Sequence, residues 1–409
     1  MAKALKSLKT SKFKLNSLLD VTMAINDNVA ISELVRRFEK LLTVDLSIGK
    51  VMLIKFGEKW ECVLNSGFAA GFFKKINIEK DLLPLNEIEH VTSKNDRFPE
   101  VLDIIIPVAH KDEPIAFVLI GDIEEEGEGM SPILKHLRFI QTLSNIIVVA
   151  IENKRLFKES LRQEALKREM ELARRMQTML IPKDEQLPSN GSISMFAFYQ
   201  PHFEIGGDYY DVIELNDHEI GFCIADVSGK GISAAILMSN FQANLQALFT
   251  EEIPMEILLE KLNRRVLSSA KGEKFITLFI ARYNYKTQEL KYVNAGHNPP
   301  ILYNIKSKEI IHLTNGTVGM GMLDELPFLE VQSLTMNEPS KMLCYTDGLV
   351  EVLNESGIEM GAEKLEVELK NDDTITANID TIIRKQGILE RGASIFDDIS
   401  ILCAQFPGT

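Results

Sequence analysis

Nine short apolar or alternating runs follow Pro188, and they constrain the fold of this chain more than any other feature of its sequence. Turn-forming residues such as Asn216 and Asp217 separate them, which is typical of strands joined by tight turns. The runs are ISMFAFYQP, YYDVIEL, EIGFCIAD, FITLFIARYN, ELKYVNAG, ILYNI, EIIHL, MLCYTD and DISILCAQF. Closely spaced strands favour antiparallel pairing, and so many strands suit two packed sheets better than one. The sequence therefore predicts a β-sandwich over residues 188–409.

Two stretches with helical character interrupt the strands, at residues 232–249 and 255–269. Helices that accompany packed sheets cover their outer faces. The expected fold class is thus α+β, and its C-terminal domain consists of two mostly antiparallel sheets flanked by helices.

Residues 1–155 predict a separate and smaller α+β module. Strand pairs are expected within residues 50–67 and 101–122. Helical periodicity flanks them, over residues 31–42 and again from Ser131 onward. Strands bracketed by terminal helices form a compact domain with its own core.

Residues 156–187 predict a helical linker between the two modules. Glycine and proline are absent from Glu152 to Leu180, and Pro182 and Pro188 end the helical pattern. Apolar residues recur every seven positions in two rows, Ala165, Leu172 and Met179 and Leu166, Ala173 and Leu180. These rows are shorter than the three to four heptads that identify a coiled coil. A paired coiled coil that makes a homodimer and a single amphipathic helix are therefore both open.

Charge and cysteine content exclude several classes of function. The 59 acidic and 45 basic side chains give a net charge of −14, which repels nucleic acid and anionic membranes. The four cysteines are far apart and show no CxxC spacing, so we expect neither a zinc site nor a disulfide framework. The longest aliphatic run, at residues 146–151, is too short to span a membrane, and the basic N-terminal stretch lacks the apolar segment of a signal peptide. A soluble cytoplasmic protein is expected.

Four aspartates lie at matching ends of predicted strands. Asp226 and Asp347 follow apolar strands, whereas Asp208 and Asp397 precede them. In antiparallel sheets the exit of one strand lies beside the entry of the next, so these carboxylates can meet at one edge. An uncompensated cluster would raise its own pKa values, and divalent cations remove that penalty. Oxygen ligands without histidine or cysteine favour Mg²⁺ or Mn²⁺. Each aspartate alone is more simply a turn or cap residue, and only the set of four, with its neighbouring glycines, favours a metal site.

Five ordered motifs, GGDYYD, ADVSGKGISAAILM, NAGHNPP, YTDGLVE and DDIS, resemble the signature of the SpoIIE-like bacterial branch of the metal-dependent PPM serine/threonine phosphatases. The resemblance begins near Met170, where ELARRMQTMLIP is similar to the helix that leads into those domains. It implies an αββα sandwich and a centre of two divalent cations, Mn²⁺ or Mg²⁺. The ligands it implies are Asp208, Asp226, Asp347, Asp397 and the backbone carbonyl of Val227.

The same resemblance implies roles and a substrate. Asp208 and Asp226 are the expected catalytic carboxylates, because the cations they hold activate a water that attacks phosphorus directly. Motif alignment selects Asp397 over its neighbour Asp398. Valine at position 227, where many members carry glycine, leaves a carbonyl ligand intact. The usual substrates are phosphoserine or phosphothreonine on STAS-type anti-sigma-factor antagonist proteins.

Two further residues have open roles. His297 could donate a proton to the departing serine oxygen, but a turn-stabilising role between Gly296 and Pro299 is preferred. Lys230 could contact the substrate phosphate, and it is equally explained as an exposed loop lysine.

The N-terminal module resembles a GAF domain in its order of helix, hairpin, hairpin and terminal helix. GAF domains often bind small ligands or dimerise, so a sensor with a small-molecule or protein input is expected. Two alternatives to a regulated phosphatase remain. One is a diguanylate cyclase, because GGDYY is superficially similar to the GGDEF turn, although this leaves Asp226, Asp347 and Asp397 unexplained. The other is a phosphatase-like module that binds a phosphoprotein without cleaving it.

Overall fold

The computed structural model describes residues 2–91, 102–110, 113–123, 136–202, 205–352, 359, 361–389 and 397–408. The chain divides into two compact units, Met1–Glu164 and Ala165–Thr409. The predicted helix start at Ser131 lies outside the described residues. Within the described ranges, no helix has both the length and the apolar character needed to cross a bilayer.

The first unit is built on one antiparallel sheet with helices before and after it. Its helices are α1 (Ala2–Asn26), α2 (Ile31–Lys40), the short α3 (Ile78–Asp81) and the start of α4 (Leu137–Thr178). Its strands are β1 (Lys50–Phe56), β2 (Trp60–Ser66), β3 (Glu89–His90), β4 (Ile104–His110) and β5 (Glu113–Gly121), in the spatial order β2-β1-β5-β4-β3. A π-helical turn at Leu41–Asp45 follows α2, and a 3-10 turn at Phe72–Lys75 precedes α3.

Both faces of this sheet are buried. Val51 and Leu53 of β1 pack into one apolar core with residues of α2 and α4. Met52 and Ile54, which point to the opposite face, pack into a second core with Phe72 and its neighbours. Alternate side chains of β1 thus pack into two separate apolar cores, one on each face of the sheet.

Helix α4 is 42 residues long and runs across the boundary between the two units. Leu166, Leu172 and Met179 of the seven-residue rows expose more than half of their surface. The helix ends at Thr178, shortly before Pro182.

The second unit contains two six-stranded sheets. Its strands are β6 (Ser189–Asn190), β7 (Ile193–Gln200), β8 (Tyr209–Asn216), β9 (Glu219–Val227), β10 (Ile276–Asn284), β11 (Glu289–Ala295), β12 (Ile301–Asn304), β13 (Ile310–His312), β14 (Gly316–Thr317), β15 (Gln332–Thr335), β16 (Ser340–Tyr345) and β17 (Ile399–Phe406). One sheet has the order β14-β11-β10-β9-β8, with β15 also pairing β11, and the other has the order β13-β12-β16-β17-β7-β6. Pairing is antiparallel except between β11 and β14.

Helices cover both outer faces of the sandwich. Its helices are α5 (Ile232–Leu248), α6 (Met255–Ala270), α7 (Asp347–Val350), α8 (Ala362–Leu369) and α9 (Ile375–Lys385). One core joins apolar residues of both sheets with α5 and α6, and another joins the outer face of the second sheet with α8 and α9. The predicted fold class, an α+β chain whose C-terminal part is an αββα sandwich, is confirmed.

The sequence analysis identified α5 and α6 but no helix between β16 and β17. Helix α9 nevertheless has a clear start, because Thr374 Oγ1 accepts a hydrogen bond from the backbone N–H of Ala377. Its buried isoleucines, Ile375, Ile379, Ile382 and Ile383, follow helical spacing. Helix α8 ends at Leu369, only a few residues before this cap.

His297 lies in the segment by which the chain passes from β11 in one sheet to β12 in the other. Its backbone N–H donates to Asn294 Oδ1 at 2.8 Å, and its Nδ1 lies 2.9 Å from Thr277 Oγ1 in β10. Gly296 supplies the positive φ of 66° that this turn requires. Burial of the imidazole lowers the pKa of His297 to about 4. The ring is therefore a neutral part of the core.

This burial predicts a specific loss of stability in mild acid. The pKa of His297 is lower in the folded state than the ordinary value of about 6.5, so the unfolded chain binds the extra proton first. Stability is therefore fully present above pH 6.5 and falls as the pH drops towards 4. Between pH 7.5 and 5.5 the free energy of opening should fall by about 1.4 kcal/mol through this group. Amide hydrogen exchange of β10, corrected for intrinsic rates, measures it.

The His297→Gln variant should lack this contribution, whereas the exposed His312→Gln should retain it. An identical pH dependence in wild type and His297→Gln would contradict the assignment.

Candidate metal centre

Two of the four predicted aspartates face each other across one hairpin. The register of β8 and β9 pairs Tyr209 with Ala225, which puts Asp208 opposite Asp226 just beyond the paired residues. Asp208 is only 2% exposed. Burial and the charge of Asp226 raise the pKa of Asp208 well above its usual value. Burial, together with Asp347 and Asp397, raises the pKa of Asp226 to about 7.

The other two aspartates come from the second sheet. Asp347 is the first residue of α7, directly after β16, and Asp397 precedes β17. Strands β16 and β17 are antiparallel neighbours, so the exit of one lies beside the entry of the other. Burial and the charge of Asp397 raise the pKa of Asp347. The charges of Asp347 and Asp397 also act on Asp226, and the charge of Asp226 acts on Asp208. The structure thus brings all four carboxylates into one cluster.

A buried threonine fixes the orientation of Asp208, and a backbone amide in turn holds that threonine. Thr346 is fully buried, and its hydroxyl donates to Asp208 Oδ2 at 2.7 Å. The same Oγ1 accepts the backbone N–H of Ser400 at 2.9 Å. Thr346 lies between β16 and Asp347, so it joins the carboxylates of the two sheets.

Asp397 and Asp398 differ in their surroundings. Asp398 is 6% exposed, and its two oxygens accept the backbone N–H groups of His202, at 2.8 Å, and Gly207, at 2.7 Å. It thus holds the segment that leads into β8. The Asp397 carboxylate is more exposed and lies 2.8 Å from Lys230 Nζ. The charges of both residues act on Asp226, and that of Asp398 also acts on Asp208, so the choice of Asp397 as the ligand stays a prediction.

At two glycines of this segment, a Cβ atom would come too close to neighbouring atoms. A Cβ at Gly206 would collide with the Asp398 carboxylate and the Tyr199 hydroxyl. A Cβ at Gly207 would lie 3.1 Å from the carbonyl oxygen of Val227. The Val227 carbonyl thus lies close to the backbone of Gly207, next to Asp208 in the chain.

Gln177, near the end of α4, holds the same segment from the other side. Its Nε2 donates to the carbonyl oxygen of Gly206 at 2.6 Å, and its Oε1 accepts the N–H of Gly206 at 3.1 Å. The side chain is 6% exposed. Sequence reasoning assigned no role to Gln177, Thr346 or Ser400, although the first lies in ELARRMQTMLIP and the second in YTDGLVE.

The donor set of the cluster fits divalent cations. It consists of carboxylate oxygens and a backbone carbonyl, and its buried negative charges raise one another's pKa. As they stand, no three acidic, histidine or cysteine side chains among the described residues are arranged to hold an ion. Three of the oxygens have other partners, since Asp208 Oδ2 accepts from Thr346, and the two oxygens of Asp397 accept from Lys230 and from the backbone N–H of Asp398. Residues that could hold the cations are Asp208, Asp226, Asp347, Asp397 and the Val227 carbonyl.

Comparison with known proteins identifies the same region of the chain. Residues 216–407 match the family model of stage II sporulation protein E, SpoIIE. The chain is 28% identical over 195 residues to the phosphoserine phosphatase RsbU of Bacillus subtilis (strain 168), an alignment that covers 48% of this chain and 57% of RsbU. It is 29% identical over 191 residues to the phosphoserine phosphatase RsbP of the same organism, covering 45% of this chain and 46% of RsbP. The chain thus spans about half the length of these relatives.

One solved structure supports the fold. The SiaA-PP2C domain of Pseudomonas aeruginosa is similar with a TM-score of 0.51 and 18% sequence identity, over 60% of this chain and 98% of that domain. This similarity concerns the fold alone. Residues 216–407 are thus similar to the SpoIIE family model, and the fold of the second unit is that of a PP2C-type domain.

Proposed function

We propose that this protein is a metal-dependent protein serine/threonine phosphatase of a bacterial signalling pathway. The observation that carries the proposal is the cluster of Asp208, Asp226, Asp347 and Asp397 at the edge shared by the two sheets, where burial and neighbouring charges raise the pKa of the first three. The names of RsbU and RsbP, both phosphoserine phosphatases, support the reaction class. As in the family it resembles, the proposed substrate is a phosphorylated STAS-type anti-sigma-factor antagonist.

When bound, two divalent cations, Mn²⁺ or Mg²⁺, would activate a water for direct attack on phosphorus and neutralise the phosphoryl oxygens. The contribution of the chain is to hold their ligands in place. Asp208 and Asp226 act as the central carboxylates, and Thr346 orients Asp208 through its hydroxyl. Asp398 fixes the backbone before Asp208.

His297 has no acid role in this proposal. Its pKa of about 4 leaves the imidazole unprotonated at neutral pH, and its Nδ1 is engaged with Thr277. Its contribution is to stabilise the turn between the sheets.

We further propose that the first unit, residues 1–155, is a GAF-like sensor that regulates the phosphatase through the linker. Helix α4 is continuous from that unit to Gln177, which binds the backbone two residues before Asp208. A signal that shifts the end of α4 would therefore shift a proposed metal ligand. The exposed side chains of Leu166, Leu172 and Met179 are consistent with a homodimer through this helix, which light scattering on a variant lacking residues 152–180 would test.

The Asp226→Asn variant tests the reaction. With Mn²⁺ and a phosphoserine protein as substrate, we expect the rate of phosphate release to fall more than about 100-fold, because loss of a ligand should exceed the 10- to 100-fold cost of losing an outer-shell partner. The exposed Asp217→Asn, in the turn of the same hairpin, should retain full activity. Circular dichroism of both variants should match wild type.

Activity that survives in Asp226→Asn would contradict the assignment. A wild-type protein that binds the phosphoprotein and releases no phosphate would support the non-catalytic alternative. Turnover of GTP would support a cyclase.

The Gln177→Leu variant tests the link between helix and site. The substitution removes two hydrogen bonds to Gly206 at nearly constant volume, each contributing about 1 kcal/mol. We expect the fraction of molecules with Asp208 in place to fall, and activity at limiting Mn²⁺ to fall about 10-fold, with partial recovery at saturating Mn²⁺. Thr178→Val, at the next and exposed position of the helix, is the matched control. Equal Mn²⁺ dependence in wild type and Gln177→Leu would contradict the link.

A further inference from the structure

Lys230 supplies a positive charge to the carboxylate cluster. Its Nζ lies 2.8 Å from Asp397 Oδ2, and the side chain remains 43% exposed. A lysine side chain is an ammonium ion at neutral pH, and this one is held by the carboxylate of Asp397, one of the proposed metal ligands.

Hydrogen bonds fix the backbone before Lys230, whereas the glycines on either side of the lysine allow its backbone to change conformation. Ser228 is fixed, because its carbonyl accepts from Lys274 Nζ at 2.7 Å and its Oγ accepts from the N–H of Phe275 at 2.9 Å. Gly229 and Gly231 flank Lys230 with φ values of 76° and 79°, in the region that glycine adopts without strain. Helix α5 begins directly afterwards, at Ile232. The lysine can therefore leave the cluster without disturbing β9 or α5.

An ammonium ion and a divalent cation cannot share one carboxylate oxygen at contact distance without strong repulsion. Oδ2 of Asp397 is already in contact with Lys230, and the same lysine interacts with Asp347. Occupation of this side of the cluster by a metal ion thus requires the lysine to move away.

We propose that Lys230 is a tethered counter-ion that competes with one of the two divalent cations for Asp397 and Asp347. In the metal-free protein it neutralises part of the cluster, and it lowers the affinity of the adjoining metal position. When the metal ion binds there, the ammonium group is released into the open side of the site. The inference rests on the proposed metal centre and concerns binding rather than turnover.

Titration calorimetry of the full chain with Mn²⁺ tests this competition in the absence of substrate. An exposed ion pair contributes about 0.2–1 kcal/mol, so Lys230→Met should bind the weaker of the two Mn²⁺ ions about two- to five-fold more tightly than wild type. Lys230→Arg, which keeps the charge, should bind like wild type. Lys274→Met removes an equal charge from the neighbouring loop between α6 and β10, where Lys274 contacts the Ser228 carbonyl and no carboxylate oxygen, and it should change the affinity less than Lys230→Met does.

Unchanged Mn²⁺ affinity in Lys230→Met would overturn the proposal, and so would an equal gain in Lys274→Met, which would indicate a general effect of charge. Weaker Mn²⁺ binding in Lys230→Met would show that the lysine supports the centre, which also overturns it. Failure of the proposed function is distinguishable, because a protein without a metal centre would bind no Mn²⁺ in any variant.

Discussion

The second unit depends on the compensation of negative charge where its two sheets meet. Burial and neighbouring carboxylates raise the pKa of Asp208, Asp226 and Asp347, and Asp397 lies beside them. Such an arrangement is unfavourable without partners. The surrounding structure supplies them as a hydroxyl from Thr346, an ammonium from Lys230 and, in the proposed function, two divalent cations. The choice of strands, turns and glycines around this edge follows from that requirement.

The strands and the fold class could be predicted because the pattern of the second unit is dense and regular. Each of the nine predicted runs overlaps one of the observed strands, and α5 and α6 match their predicted limits within a residue. Helices α7 and α8 were missed because they are short, whereas α9 carries a cap and a helical spacing of isoleucines that the sequence analysis overlooked. The two-residue strands β6 and β14 carry no periodic signal at all. The domain limits drawn at residues 155 and 187 stay predictions.

The candidate site was predicted in part for a physical reason. Carboxylates at strand ends are visible in a sequence because ionised groups are rare beside buried strands. Their roles as metal ligands stay predictions, as does the carbonyl role of Val227. Neutral residues such as Gln177 and Thr346 give no comparable signal, since their importance depends on which backbone atoms they meet. The hydrogen bonds by which Asp398 holds the backbone of His202 and Gly207 likewise give no signal in the sequence.

Three consecutive residues before β8 are each tied to a different element of the fold. Gly206 is bound by Gln177 of α4, Gly207 by Asp398 before β17, and Asp208 by Thr346 after β16. Hydrogen bonds from three different elements thus set the position of this segment together. The position of Asp208 therefore depends at the same time on α4, on the residue before β17 and on the residue after β16. Displacement of Gln177, of Asp398 or of Thr346 would therefore each change the position of Asp208.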